Sequence, residues 1–447
     1  MQRSLGLKLV AVGAIIAVLL IALSFIASLV GERQARRDGV VRDIASSSSL
    51  AQQFTGPIIL VPYEKTVRQT KEDPTSQKTY VEEREVSGQL LFLPETFTLN
   101  GDMRTERRAR GIYEARLYHA SLKITSRFDL PAHYGIESDL AAYHFGQPSL
   151  IMGISDIRGI ENASTVSLNG NQVRLLPGTG TTLLGSGLHA PIAAIEGDQG
   201  ARLELAMDLT LQGTSEFHVT PLGRETRISL SSNWPNPSFT GQYLPAHHKI
   251  SADGFTADWA TTFFSTNLEE AIRQCGAGSN CHEFESRILG VSFVDPVDQY
   301  LKTDRAIKYA LLFVSLTFAG FFLFEVLEQL AVHPIQYGLV GTALAAFYLL
   351  LLSLSEHIGF ATAYLISATA CVALIAFYIG CVLRSASRGL AFGVGLALLY
   401  GLLYGLLSAD DYALLLGSIL FFALLTVVMV LTRRVDWFSL GRQGPSA

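Results

Sequence analysis

The chain has 447 residues, 49% of them hydrophobic and 16% charged, with a formal net charge of -5 and a mean hydropathy of +0.31. That composition is too apolar for an ordinary two-domain soluble protein, and no basic block stands out in the polar part, which argues against a nucleic-acid surface. Charge is unevenly spread: residues 31–305 hold 26 Lys/Arg and 33 Asp/Glu, a net of -7, whereas residues 306–447 hold six of each. A soluble-type middle and a membrane-type end follow from that split, with the lipid bilayer as the first partner.

Residues 9–30 carry no charge and follow Arg3 and Lys8. The run exceeds the apolar core of a cleavable signal, roughly 7–15 residues, so residues 1–30 are expected to form an uncleaved transmembrane anchor. A charged juxtamembrane segment follows, and Ser46 to Ser49 read as a short polar linker.

From residue 53 to about residue 304 the pattern becomes period-two alternation broken by Gly, Pro and Asn, as in residues 57–62, 203–213 and 225–231. Such segments read as half-buried strands with turns between them. A large, mainly β, sandwich-like domain is expected over residues 31–305, with mostly antiparallel pairing. In it Cys275 and Cys281 close a Gly/Ala/Ser/Asn loop, which suits a disulfide if the domain is extracytoplasmic. Two cysteines with no His or Cys cluster beside them do not make a metal site.

Apolar runs at residues 306–324, 337–354, 358–383, 389–407 and 412–431 are each long enough to cross a hydrocarbon core of about 30 Å. They predict a five-helix transmembrane domain over residues 306–432 and a tail over residues 433–447. Six spans in all place both termini on one side of the membrane. Among the short loops, residues 384–388 are basic, whereas 355–357 and 408–411 hold acids and no Lys or Arg. Cytoplasmic termini and a periplasmic β-rich domain satisfy that asymmetry best.

The stretch from His333 to Ile366 contains His-Pro-Ile-Gln-Tyr-Gly-Leu-Val-Gly-Thr-Ala-Leu and then Phe-Tyr-Leu-Leu-Leu-Leu-Ser-Leu-Ser-Glu-His-Ile-Gly-Phe. Ordered polar residues within an apolar run are more specific than hydrophobicity alone, and this run is similar to the signature of the CreD family of bacterial inner-membrane proteins. Residues 56–63, 110–118, 155–159, 234–245 and 254–259 resemble that family's extracytoplasmic signatures. One departure is Ser49-Leu50, where the family pattern leads one to expect a Trp-Gly pair ahead of Gly56-Pro57. The resemblance implies a bacterial inner-membrane protein that supports envelope integrity, with colicin tolerance and a β-lactam response, induced through a sensor kinase, and with other envelope proteins among its partners.

Few residues carry recognisable chemistry. Glu356 and His357, at the seam between two spans, either cap helices and meet lipid headgroups, or relay protons or bind a polar partner; the capping reading is preferred. Glu325, Glu328 and His333 form a second polar group on the opposite face. Gly389, Gly393, Ala397, Gly401 and Gly405 recur every four residues, a stripe that lets another backbone approach and is read as helix packing inside the bundle. Cys371 and Cys381 read as small hydrophobes in an apolar span. In the β-rich part Asp156 and Arg158 would share one face of a strand and pair, His247-His248 would sit in a solvated loop, and Trp234, Phe239, Phe255 and Trp259 would pack in a core. None of the familiar hydrolase, zinc-protease or nucleotide-binding motifs occurs, so no cofactor and no catalysis is expected. Two other functions compete with envelope support: a membrane chaperone or insertase, by architectural analogy alone, and a proton-linked transporter resting on Glu356 and His357.

Overall fold

A computed structural model describes every residue except 1, 73–78, 163–164, 195–198, 277–283, 285, 294–297, 328–331, 409–414, 416, 420–421, 424–425, 427–428, 431–432 and 434–447. The described residues fall into two compact units, residues 39–296 on one hand and residues 1–38 with 297–447 on the other.

Alternation builds the unit of residues 39–296. One sheet runs in the order β10 (Leu176–Pro177), β11 (Gly187–Pro191), β6 (Ser149–Ile154), β1 (Gln52–Glu72), β13 (Glu216–Thr220), β18 (Leu289–Phe293), β15 (Pro237–Gly241), with β2 (Thr79–Phe92) and β5 (Tyr143–Phe145) also paired to β1. The other runs β16 (His247–Ser251), β17 (Gly254–Thr262), β14 (Glu225–Ser232), β3 (Thr96–Arg110), β4 (Tyr113–Leu130), β12 (Ala201–Thr214), β8 (Thr165–Leu168), β9 (Asn171–Arg174), with β7 (Ile160–Asn162) on β12. Among the described residues pairing is antiparallel except where β1 meets β13 and β3 meets β14.

Along β4 every second residue is buried over most of its length, and those residues meet the first sheet across a shared core. The Phe54 and Phe97 rings, one from each sheet, stand 6.4 Å apart. Tyr118 lies 6.1 Å from Phe217 and 5.1 Å from Phe293, and its hydroxyl donates to the Glu216 carbonyl at 2.7 Å. Burial pushes the ionisation of that phenol well up. Sandwich packing of this kind is what alternation predicts.

Residues 57–62 depart from the half-buried expectation, because both faces of β1 are covered there. Ile59 and Val61 enter the inter-sheet core, whereas Ile58 and Leu60 meet Leu268, Ala271 and Ile272, on the outer side. Those three belong to helix α3 (Leu268–Gly276), which follows the short helix α2 (Phe263–Thr266). A continuous apolar run is the pattern of a strand buried on two sides. His247 and His248 also differ from expectation: they lie on β16, an exposed edge strand, and not in a loop. Trp234, Phe255 and Trp259 are buried, and the half-buried Phe239 ring stands 5.7 Å from both Phe255 and Trp259.

Helix α1 (Gln2–Ser47) is continuous through the juxtamembrane charges and through Ser46 and Ser47, so the expected linker is helical up to Ser47. Its last turns stay helical because Val40, Val41 and Ile44 bury against Ala115 and Leu117 of β4.

In the unit of residues 1–38 and 297–447, Leu19 and Leu23 of α1 join a core with α4 (Gln299–Lys308), α5 (Ala310–Leu327), α6 (Pro334–Ile358), α7 (Phe360–Val382) and α8 (Ala386–Ser408). The first helix is therefore part of the bundle, not a free tether. The expected second span, residues 306–324, is broken: α4 and α5 meet at a bend of 47°. The break falls where composition changes, since α4 carries Lys302, Asp304, Arg305 and Lys308 and α5 has no charge before Glu325. Among the described residues four helices are long and apolar enough to cross a membrane, or five if the bent pair is one span. Much of the sixth expected span, residues 412–431, lies outside the described residues.

Candidate functional site

The seam expected at residues 355–357 is not a turn. Helix α6 runs through it to Ile358, and the chain reverses at Gly359, whose φ of 78° and ψ of 160° suit glycine. Ser355 is buried and donates to the Leu352 carbonyl at 2.9 Å, so its hydroxyl is satisfied within α6. Glu356 and His357 then point apart. Glu356 is 9% exposed, accepts a hydrogen bond from the Tyr300 hydroxyl at 3.0 Å and faces the Arg33 guanidinium at 3.8 Å. His357 is exposed. Neither residue is a cap, because Gly359 ends α6.

Around Glu356 the pairing extends further. Arg37 binds Asp298 at 2.9 Å and lies over the Tyr300 ring at 5.4 Å. Asp298 caps α4 by accepting from the backbone N–H groups of Tyr300 and Leu301. Three helices of the membrane unit therefore meet in one polar cluster: α1, α4 with its capping residue Asp298, and the end of α6.

A second cluster is built on Glu325, near the end of α5. Its carboxylate is paired with Lys8 of α1 and accepts from the Tyr337 hydroxyl at 2.8 Å and from the Val332 backbone N–H at 3.3 Å. Lys8 also donates to the Val332 carbonyl at 2.6 Å. Side chains here are mostly withdrawn from solvent, with Lys8 16% and Glu325 10% exposed. His333 caps α6: its ring accepts from the Ile335 N–H at 3.2 Å, and the Gln336 side chain accepts from the His333 N–H at 3.0 Å. Glu328 lies outside the described residues.

On α6, Tyr337 of one cluster and Glu356 of the other are about 28 Å apart along the axis, close to the thickness of a hydrocarbon core. Each end of the span thus pins α1 to its neighbours with a carboxylate, a cation and a tyrosine hydroxyl. The cations Lys8 and Arg33 are the partners that pattern reading missed. Their only signal was position, just before and just after the first apolar run.

The small-residue stripe divides in two. A Cβ at Gly389 would stand 2.6 Å from the Gly380 Cα, and one at Gly393 2.8 Å from the Ala376 side chain, so this half is a close crossing with α7. At Gly401 and Gly405 nothing among the described residues lies within 4 Å of that position. Ala397 and Gly401 instead line an apolar groove of about 810 Å³ with Tyr364, Tyr400 and Tyr404. Inside the bundle the Tyr364 hydroxyl donates to the Tyr400 carbonyl at 2.7 Å, and Tyr400 donates to the Cys371 sulfur at 3.3 Å. Hydroxyls within apolar runs were not picked out from the sequence, because nothing in their spacing distinguishes them from packing aromatics.

In the β-rich unit Asp156 and Arg158 pair at 2.7 Å. They do so around a short 3-10 turn capped by Asp156, and not on a strand. The Asp156 carboxylate also accepts from the Leu50 N–H at 3.0 Å. The hydrogen bond from Arg158, aided by backbone N–H groups, holds its pKa down at about 2. Gln52, fully buried, ties this turn to β12 through the Asp156 and Gln212 carbonyls. Ser49, at the place of the departure from the family pattern, is buried and donates to the Gln212 carbonyl at 2.8 Å. Cys275 is buried and disulfide-bonded; Cys281 lies outside the described residues. Among the described residues no group of three or more His, Cys, Asp or Glu side chains is placed to hold a metal ion.

A family model described as inner membrane protein CreD matches residues 4–438. The inner membrane protein CreD of Escherichia coli (strain K12) is 37% identical over 430 residues, covering 96% of this chain and 92% of that protein. Among solved structures, an M1 zinc metallopeptidase from Deinococcus radiodurans aligns over 38% of this chain and 39% of its own, at 8% identity and a TM-score of 0.18, a likeness that carries no argument.

Proposed function

The chain belongs to the CreD family of inner membrane proteins, and from that premise we propose that it supports cell-envelope integrity as a non-enzymatic scaffold, with cytoplasmic termini and a periplasmic β-rich unit. It is a multi-pass inner-membrane protein. The observation that carries the scaffold reading is the commitment of its buried membrane carboxylates. Glu325 and Glu356 are each engaged by a cation of α1 and a tyrosine hydroxyl, at opposite ends of α6, and bind helices together. Between the clusters, residues 338–355 of α6 contain no Asp, Glu, Lys, Arg or His, which disfavours a proton path along that helix.

The scaffold reading predicts that a strain lacking the protein is more sensitive to colicins, detergents and β-lactams, and that the intact protein restores resistance. His357→Ala should complement fully. Glu356→Gln, which keeps the hydrogen-bond acceptor, should complement in proportion to its abundance in the membrane. A normally abundant Glu356→Gln protein with no complementing activity would replace the scaffold with a proton-dependent function. Capture of nascent membrane proteins by crosslinking would favour an insertase instead.

A further inference from the structure

Helices α7 and α8 cross closely where Gly380 meets Gly389 and Ala376 meets Gly393. Beyond that crossing, toward Tyr404, the floor between them is made of small side chains, among them Ala368, Ala397 and Gly401. A Cβ at Gly401 would meet nothing within 4 Å among the described residues. The groove so formed opens outward, since Leu365 and Leu390 on its rims are each 68% exposed. None of the residues that line it is charged. In a multi-pass inner-membrane protein this face meets hydrocarbon, and leaving the space unfilled would forfeit the dispersion contacts of its walls.

The dimensions of the groove choose between occupants. Leu390 and Tyr404 are about 21 Å apart along α8, so a volume of about 810 Å³ corresponds to a mean cross-section of about 40 Å². A helix 10–12 Å across needs about 80–110 Å². Only the edge of a helix would enter, whereas extended hydrocarbon chains lie within the walls. The described part of the last apolar run is placed elsewhere: a Cβ at Gly417 would stand 3.9 Å from the Leu406 side chain, which is about 200° around α8 from Tyr404.

At the end nearest Gly359 the groove reaches a cation. The Tyr404 ring is 5.2 Å from that of Tyr364, Tyr364 is 6.0 Å from Phe360, and the Lys302 ammonium lies 5.9 Å from the Phe360 ring. Both carboxylates close to Lys302 in sequence are committed elsewhere, Asp298 to Arg37 and Asp304 to Lys308. Lys302 has no carboxylate partner among the described residues, so its charge is available to an anion from outside the chain. The Tyr364–Tyr404 pair stands one turn of α7, about 6 Å, deeper than Phe360, and the Tyr404 hydroxyl has no hydrogen-bond partner among the described residues. An anion site, then a hydroxyl donor, then an uncharged groove is the order in which a glycerophospholipid presents its phosphate, ester carbonyls and acyl chains.

We propose that the groove between α7 and α8 binds one glycerophospholipid, its acyl chains lying along Ala397 and Gly401 and its phosphate at Lys302. The inference does not depend on the envelope phenotype.

The test is native mass spectrometry of the intact protein in a mild detergent, with dioleoylphosphatidylglycerol or dioleoylglycerol added; the second has the same chains and no phosphate. The phospholipid should stay bound at one per chain, and the diacylglycerol about fivefold less. Lys302→Gln should erase that preference, in a protein whose thermal transition is otherwise unchanged. Gly401→Leu, which fills the groove, should abolish retention of both lipids; Lys302→Gln keeps the test decisive if that variant does not fold. Equal retention of the two lipids by the unmodified protein, or a preference that survives Lys302→Gln, would overturn the proposal. A dimer mass without bound lipid, lost in Gly401→Leu, would also overturn it and give the groove to a second copy of the chain.

Discussion

The ion pair of Lys8 and Glu325 shows how burial decides the worth of a charge. Both side chains are largely withdrawn from solvent and the carboxylate is further held by Tyr337 and the Val332 N–H. Removing one partner leaves an uncompensated charge, whereas removing both leaves none. Lys8→Met should therefore destabilise the protein by about 2–4 kcal/mol, and Lys8→Met with Glu325→Leu by clearly less. Thermal unfolding of both variants in one detergent measures this; equal losses would show that the pair is loosely solvated. Asp156 is the corresponding residue in the β-rich unit. Its carboxyl titrates at about 2, against 3.8 normally, because Arg158 and backbone N–H groups favour the ionised form. A depressed folded-state pKa adds stability above the ordinary value, here about 2 kcal/mol, and that contribution disappears as pH falls from about 4 through about 2. The unfolding midpoint of the intact protein should accordingly exceed that of Asp156→Asn at neutral pH, and the two should converge across that window. A constant gap would assign the effect to lost packing. Pairing at Asp156 and Arg158 was legible from their spacing, but the 3-10 turn that brings them together was not, since it depends on Leu50 and Gln52, just before and at the start of β1.

Among the elements, the crossing of α7 and α8 separates packing from mere composition. Gly389 and Gly405 occupy the same stripe by sequence, yet a side chain at Gly389 would enter the α7 backbone and one at Gly405 meets nothing among the described residues. Gly389→Leu should lower the yield of folded protein severalfold and cost at least about 1–3 kcal/mol by overpacking. Gly405→Ala should be neutral or slightly stabilising through helix propensity. Detergent-resistant monodispersity of the two variants separates these outcomes, and a well-folded Gly389→Leu protein would mean that the crossing is looser than the geometry requires. Period-four spacing identifies a stripe but not its partner. The bend between α4 and α5 and the extension of α6 to Ile358 likewise lay beyond hydropathy, which marks where charge stops and not where the backbone turns.

Across the whole molecule, lipid is the solvent of the unit that holds the long apolar helices, and water that of the β-rich unit. Reporter fusions at residues 45 and 300 should report the periplasm, and one following residue 434 the cytoplasm; any other pattern would reverse the proposed orientation. The sequence by itself determined the solvent of each segment and the class of each part, because apolar run length and period-two alternation are local consequences of burial. It determined the family as well, through ordered polar residues such as those from Ser353 to Phe360. Only the tertiary structure decided which charges are partners. Lys8 and Glu325 lie 317 residues apart in the chain, and a Coulomb interaction in a poorly screened environment depends on separation in space, a quantity to which sequence distance is blind. The same holds for Tyr300 with Glu356 and for Tyr118 with the facing sheet, where each contact exists because elements from distant parts of the chain bury a common surface.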